Sequence, residues 1–276
     1  MQAEGFNFKK GTSISISHNV SYDWSMDKFH FHDGYEINLS LADGPSFFIN
    51  DRIYEVKKGN LFLFTPRDLH KVFVPKGMRY ERYLIFFDHQ VLKAFNSDSF
   101  NLLDIFEEVK QISLDTDQLI EVVQLLNKLL KNEENEESTN EIYKKIHVVE
   151  LLLMLHDFKK MKLITHTHST ADMDKIQPVI TYINDHLDQK IPLDILAKEC
   201  FISKYYLCEV FKKTTGFTVN EYIMNKRMLR AKELLMKGFQ VNIVSQMVGY
   251  KNETHFIRIF KKMVGKTPKQ YSKKHC

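Results

Sequence analysis

Ser203-Lys-Tyr-Tyr-Leu-Cys-Glu-Val-Phe-Lys-Lys-Thr-Thr-Gly216 returns, altered but in register, as Asn252-Glu-Thr-His-Phe-Ile-Arg-Ile-Phe-Lys-Lys-Met-Val-Gly265, an offset of 49 residues. A duplicated unit reveals architecture before any motif is named. Thr218 and Tyr222 continue the match with Thr267 and Tyr271; upstream, at an offset of 48, Leu193, Leu196, Ala197 and Cys200 match Val241, Val244, Ser245 and Val248. The change of offset predicts two turns of unequal length. Each copy reads as a short apolar helix, a tight turn, a capping Ser or Asn, a second helix and a glycine stop. Ser203 and Asn252 can accept hydrogen bonds from the free N–H groups of the next turn, which starts a helix there. Leu207 with Phe211, and Phe256 with Phe260, stand four apart and turn one face toward the preceding helix. Gly216 and Gly265 supply left-handed endings.

What remains on each second helix is a solvent-facing stripe. It holds Lys204, Tyr205, Cys208, Glu209 and Lys212 in the first copy, and Glu253, Thr254, Ile257, Arg258 and Lys261 in the second. Two helices joined by a tight turn, the second with a polar outer face, have helix-turn-helix geometry, and that second helix enters the DNA major groove. Between the copies, Tyr222, Ile223, Met228, Ala231, Leu234 and Leu235 form an apolar stripe along Val219 to Met236. As one helix this segment spans roughly 27 Å. Two recognition helices on such a strut can address successive major grooves, about 34 Å apart, on one face of B-DNA.

Charge supports the same partner. Residues 174–276 carry 19 Lys and Arg against 9 Asp and Glu, a net of +10, which leaves 20 and 26, a net of −6, for residues 1–173. A basic domain gathers counterions that DNA phosphates displace. At 276 residues, two domains are expected. An apolar fraction of 43% and a charged fraction of 27% suit a globular chain that buries a core. The start, Met1-Gln-Ala-Glu-Gly-Phe, has no basic and apolar leader, and no stretch reaches the length of a membrane span, so a cytoplasmic protein without membrane contact is expected. Cys200, Cys208 and Cys276 contain no Cys-x-x-Cys pair, so neither a disulfide framework nor a thiolate zinc site is indicated. There is no Gly-x-Ser-x-Gly elbow and no phosphate-cradling glycine loop, so an enzyme is not expected.

The other half reads differently. Tyr35–Leu41, Ser46–Asn50, Arg52–Val56, Asn60–Thr65 and Arg79–Phe87 are short runs rich in aromatic and β-branched residues, punctuated by Asp33-Gly34, Asp43-Gly44-Pro45, Lys58-Gly59-Asn60 and Lys76-Gly77. Such spacing predicts a small barrel or sandwich. From about Ser99 the texture turns helical: Leu119, Val122, Val123, Leu126, Leu129 and Leu130 precede an acidic break at 133–137, then Ile142, Ile146, Val149, Leu152 and Leu153 follow. This predicts a helical hairpin whose apolar faces serve an internal core or a dimer seam.

At Leu193-Asp-Ile-Leu-Ala-Lys-Glu-Cys, the Ser203 stretch, Arg227-Met-Leu-Arg-Ala-Lys-Glu-Leu-Leu and Val248 through Tyr271, the sequence resembles the AraC-type (AraC/XylS) transcription regulators. The likeness covers about 174–276. One departure stands out: Phe201 occupies the turn position where the family often has glycine, whereas the second unit keeps Gly249. The resemblance implies a sequence-specific regulator in which Tyr205, Cys208, Glu209, Glu253, Thr254, Ile257 and Arg258 face bases. Arg258 suits guanine and Glu209 suits cytosine N4, while Ser203, Lys204, Lys212, Lys251, Asn252, Lys261 and Lys262 meet phosphates.

Residues 28–90 are similar to the cupin-like effector domain that many such regulators carry, through His30-Phe-His32, Glu36, Gly59-Asn-Leu-Phe-Leu-Phe-Thr-Pro66 and His70. The whole is then α+β: a cupin-like effector-binding β-barrel over 1–98, a helical dimerisation hairpin over 99–161 and a linker over 162–173. An all-α DNA-binding domain over 174–276 follows, with helix-turn-helix units at about 190–214 and 240–264. The resemblance implies a small effector, a sugar or small acid, in a pocket lined by His30, His32, Glu36, His70, Trp24 and Tyr83, with Tyr22 and Arg52 as further candidates. It also implies a homodimer, with RNA polymerase as a further candidate partner. No cofactor is expected. The rival reading makes His30, His32, Glu36 and His70 a metal site, and this half an enzyme or metal sensor.

Overall fold

The computed structural model describes residues 13–22, 34–97, 99–134, 138–161 and 171–275. The chain divides into two compact units, Met1–His168 and Ser169–Cys276.

The first unit opens with strands β1 (Ile14–Tyr22), β2 (Tyr35–Ser40), β3 (Ser46–Ile49), β4 (Arg52–Glu55), β5 (Asn60–Phe64), β6 (His70–Phe73) and β7 (Arg79–Phe87). A 3₁₀ turn at His89–Phe95, helix α1 (Asp104–Glu108), strand β8 (Gln111–Ser113), and helices α2 (Thr116–Glu134) and α3 (Ser138–Met161) complete it. One antiparallel sheet runs β1-β7-β2-β5-β8 and the other β4-β3-β6. Register sorts the strands by face. Glu36 pairs with Phe64 and Phe86, and Asn38 with Phe62 and Leu84, while Ile37 pairs with Leu63 and Ile85. Because side chains alternate across a strand, the first set and the second set face opposite ways. Phe62, Phe64 and Tyr80 turn toward Phe47, Ile49, Tyr54 and Val72 of the smaller sheet. Ile37, Leu39, Leu63, Tyr83 and Ile85 turn toward the helices, where Val122, Leu126 and Leu129 of α2 and Val148, Leu151 and Leu155 of α3 close a second core.

Three strands, β1, β6 and β8, lie where the sequence reading named none. β1 carries an Ile-Ser-Ile-Ser alternation and pairs along its whole length with β7. β8 interrupts the stretch expected to be helical and pairs with β5; at three residues it is too short to leave a period-two pattern. The helical hairpin forms on either side of the acidic break. Its second helix does not use its apolar residues as a single stripe: Leu152 is buried, whereas Ile142, Ile146 and Leu153 are exposed.

The second unit is all helical: α4 (Ala171–Asp185), α5 (Leu193–Glu199), α6 (Lys204–Thr215), α7 (Val219–Met236), α8 (Val241–Met247), α9 (Glu253–Val264) and α10 (Pro268–His275). Of the expected linker 162–173, residues 162–170 lie outside the described residues and 171–173 form the first turn of α4. The strut α7 has the span read from its apolar stripe, and Tyr222, Met228, Ala231, Leu234 and Leu235 are buried along it. A capping box starts it, Thr218 Oγ1 accepting from Glu221 N at 3.2 Å while Glu221 Oε2 accepts from Thr218 N at 2.8 Å. Thr267 and Gln270 repeat this box before α10 at 3.3 and 2.9 Å, so the duplication extends into the caps. Among the described residues, no helix is long and apolar enough to cross a membrane.

Candidate functional site

Each helix-turn-helix unit is built by the same backbone device. In the first, Ile202 N donates to Ala197 O and Phe201 N to Lys198 O, both at 3.1 Å; in the second, Tyr250 N donates to Ser245 O and Gly249 N to Gln246 O, both at 2.9 Å. This pair of bonds is the Schellman closure, which requires a left-handed residue just past the helix end. Phe201 (φ 55°) and Gly249 (φ 78°) fill that position. For a residue with a Cβ the conformation costs roughly 1–2 kcal/mol. After it the units diverge, with two residues, Ile202 and Ser203, leading to α6 but three, Tyr250, Lys251 and Asn252, leading to α9. This is the unequal turn that the change of offset predicts.

The second helices then start on their caps. Ser203 Oγ accepts from Tyr206 N at 3.2 Å and Asn252 Oδ1 from His255 N at 2.8 Å. Leu207, Phe211, Phe256 and Phe260 are fully buried, each contributing about 1.5–3 kcal/mol. Gly216 and Gly265 end the helices at φ 74° and 80°. The inward face is therefore fixed, and the outward face follows from it.

That outward face carries the residues read as base-facing. Tyr205, Cys208 and Glu209 on α6, and Glu253, Thr254 and Arg258 on α9, are exposed; Ile257 is half-buried, which leaves only part of it for a ligand. The residues read as phosphate-facing, Ser203, Lys204, Lys212, Lys251, Asn252, Lys261 and Lys262, are all exposed as well. Ser203 and Asn252 spend an oxygen on capping, but the hydroxyl proton and the amide NH2 remain as donors. Lys204 pairs with Asp194 at 2.5 Å, a solvent-exposed pair whose small net worth lets a phosphate displace the carboxylate.

Inside the first unit, two of the expected pocket residues come together. Glu36 and His70 are both buried, and His70 Nε2 lies 3.3 Å from Glu36 Oε2. The imidazole stacks on Phe64 at 4.0 Å between ring centres. Three residues that the sequence reading missed join them. Asn38 and Arg82 are buried on the same strand face as Glu36, and Arg82 lies 4.3 Å from the Tyr80 ring centre. Burial pushes the Tyr80 phenol well above its ordinary range, against the pull of Arg82 and Asn38. Burial also lowers the Arg82 guanidinium, with Tyr80 and Glu36 opposing. The alternation Glu36-x-Asn38-x-Ser40 was the available signal.

Tyr83 does not belong to this interior. One strand position from Arg82, it faces the helices and donates from its hydroxyl to Asn127 Oδ1 at 2.8 Å. Tyr22 is 66% exposed at the end of β1, and Arg52 is exposed on β4. Trp24, His30 and His32 lie outside the described residues, and among the described residues no group of three metal-ligating side chains forms.

A family model described as an AraC-like ligand binding domain matches residues 13–152, and one described as a helix-turn-helix domain matches residues 196–274. The chain belongs to the AraC family. This AraC-family chain is a transcription regulator with an N-terminal ligand-binding domain and a C-terminal helix-turn-helix DNA-binding domain. Regulatory protein SoxS of Escherichia coli K12 is 33% identical over 97 residues, 35% of this chain and 91% of that protein. A regulator of Bacillus subtilis, YbfI, is 27% identical over 246 residues, 83% of this chain and 82% of its own. A crystal structure of apo ToxT K231A from Vibrio cholerae spans 95% of this chain and 97% of its own at 14% identity, with a TM-score of 0.39.

Proposed function

We propose that this regulator reads DNA sequence with both recognition helices at once. Tyr205, Cys208 and Glu209 of α6 and Glu253, Thr254, Ile257 and Arg258 of α9 face bases, while Ser203, Lys204, Lys212, Lys251, Asn252, Lys261 and Lys262 anchor phosphates. The observation that carries this reading is the pair of capped, exposed helix N-termini on a segment with a net charge of +10 between 174 and 276, since positive charge supplies affinity and groove-facing side chains supply discrimination. Selection of bound duplexes from random sequence, followed by footprinting, tests it: one protected site of about two helical turns is expected. Arg258→Ala then relaxes preference at one position at a cost of about 1–3 kcal/mol, while Lys262→Ala weakens all sequences alike. Equal losses on every sequence from Arg258→Ala would overturn the assignment.

A small effector is assigned to the buried polar cluster of Glu36, Asn38, His70, Tyr80 and Arg82. A few convergent polar groups within apolar walls are what a small-molecule site needs. An effector that favours one arrangement of the regulator over another changes DNA affinity by linkage. Thermal-shift screening of sugars and small acids identifies it, and an effector whose binding leaves operator affinity and transcription unchanged refutes the coupling. The Glu36–His70 pair keeps one rival in play: a stoichiometric metal, lost in His32→Ala, would convert this half into a metal sensor or enzyme. Self-association is assigned to α3, where Ile142, Ile146 and Leu153 stand 61%, 46% and 46% exposed along about three turns. Ile146→Glu should shift the sedimenting species from dimer to monomer. The expected compartment is the cytoplasm, where free thiols such as Cys200 and Cys208 stay reduced.

A further inference from the structure

The turn of the first helix-turn-helix unit holds the most exposed large apolar side chain among the described residues. Phe201 is 96% exposed, in a left-handed conformation that a bulky side chain rarely adopts. A glycine would close the turn without strain, and Gly249 does so at the equivalent place in the second unit. A strained backbone position that persists points to a use for the side chain it carries, and here that side chain is a whole aromatic ring held in solvent. Phe201 stands two residues before Ser203, the cap of α6, and Tyr205 on the first turn of that helix is 81% exposed. Lys198 and Lys204, both exposed, flank the ring along the chain. This neighbourhood is continuous with the end of α6 that a recognition helix directs into the groove, and its two lysines stand among the exposed Glu199 and the Asp194 that pairs with Lys204.

We propose that Phe201 is a DNA-reading residue, packing on a thymine 5-methyl group at the major-groove edge beside α6, a contact open to phenylalanine in that groove. The proposal rests on α6 lying in the groove. It makes the first unit a reader of apolar base edges through Phe201 and Tyr205, beside the charged reading of Arg258 in the second.

The test uses the full-length protein and a duplex it has selected from random sequence. Phe201→Gly removes the ring and relieves the backbone, so this variant folds at least as stably as the wild type. It is expected to bind the duplex about three- to tenfold more weakly, the worth of one to two buried apolar groups. Thymines of the selected site are then replaced singly by deoxyuridine, which deletes only the methyl group. At one position the replacement should weaken the wild type by a similar factor and leave Phe201→Gly unmoved. Phe201→Gly binding like the wild type overturns the proposal, and so does a loss coupled to no thymine methyl. Lys262→Ala and Arg258→Ala on the same duplex keep the two readings apart. If they lose binding while Phe201→Gly does not, the recognition helices stand and Phe201 falls; a wild type that selects no sequence removes the helix reading itself.

Discussion

The two helix-turn-helix units share a backbone plan and differ in what surrounds one residue of it. Both close the first helix through a left-handed position, yet Gly249 is hemmed in and Phe201 is open. A Cβ at 249 would stand 2.5 Å from Leu187 O and 2.6 Å from Arg227 Nη2. That guanidinium donates to Gln189 O at 2.5 Å and lies 5.6 Å from the Tyr250 ring centre. Crowding therefore makes glycine obligatory in the second unit. In the first, a side chain escapes entirely to solvent, and only the left-handed backbone is left to tolerate. Repeated sequence preserves local geometry, while the neighbours of each copy decide which substitutions it accepts.

The buried anchors give the largest effects with which to press this comparison. Phe256→Ala should destabilise the second unit by about 3–5 kcal/mol, and Leu207→Ala the first by about 2–5 kcal/mol, as read by denaturant unfolding. A single transition reported alike by probes in both units of each variant would show that the two units unfold as one cooperative body, and two separated transitions that they do not. Next comes the glycine itself. Gly249→Ala combines left-handed strain with overpacking and should cost about 2–4 kcal/mol, less in an Arg227→Ala background, where one of the two clashes is gone. Phe201→Ala should move stability by no more than about 0.5 kcal/mol, since the position is exposed and equally strained with either residue. A large loss there would mean that the ring is part of the core after all. The caps come last: Ser203→Ala and Asn252→Ala should each cost about 1 kcal/mol, which circular dichroism melts of the two variants resolve.

Legibility differed by region for a physical reason. The helical half announced itself because its determinants are local. Ser203 and Asn252 as caps, Gly216 and Gly265 as stops, and the four-residue spacing of Phe256 and Phe260 all act within one or two turns, so a linear reading finds them. The strand half was legible as strands but not as faces. Of the residues grouped from the sequence, Glu36 and His70 lie side by side, whereas Tyr83, one residue from the inward Arg82, points to α2. A shift of one position along a strand reverses the side it serves, and the inward set becomes visible only when pairing with β2 fixes it. Asn38, Tyr80 and Arg82 were missed for the same reason.

By itself, then, the sequence determined the duplicated helix-turn-helix units, their caps, the strut between them, the segregation of positive charge and the two-part α+β plan, because propensity, periodicity and charge are carried by neighbours in the chain. Tertiary structure alone decided which side of each strand meets the other sheet, that Gln111–Ser113 would join it, and that Gly249 would be walled by Leu187 and Arg227 while Phe201 met only solvent. Those outcomes depend on residues tens of positions apart, and a chain reveals such partners only once it has folded.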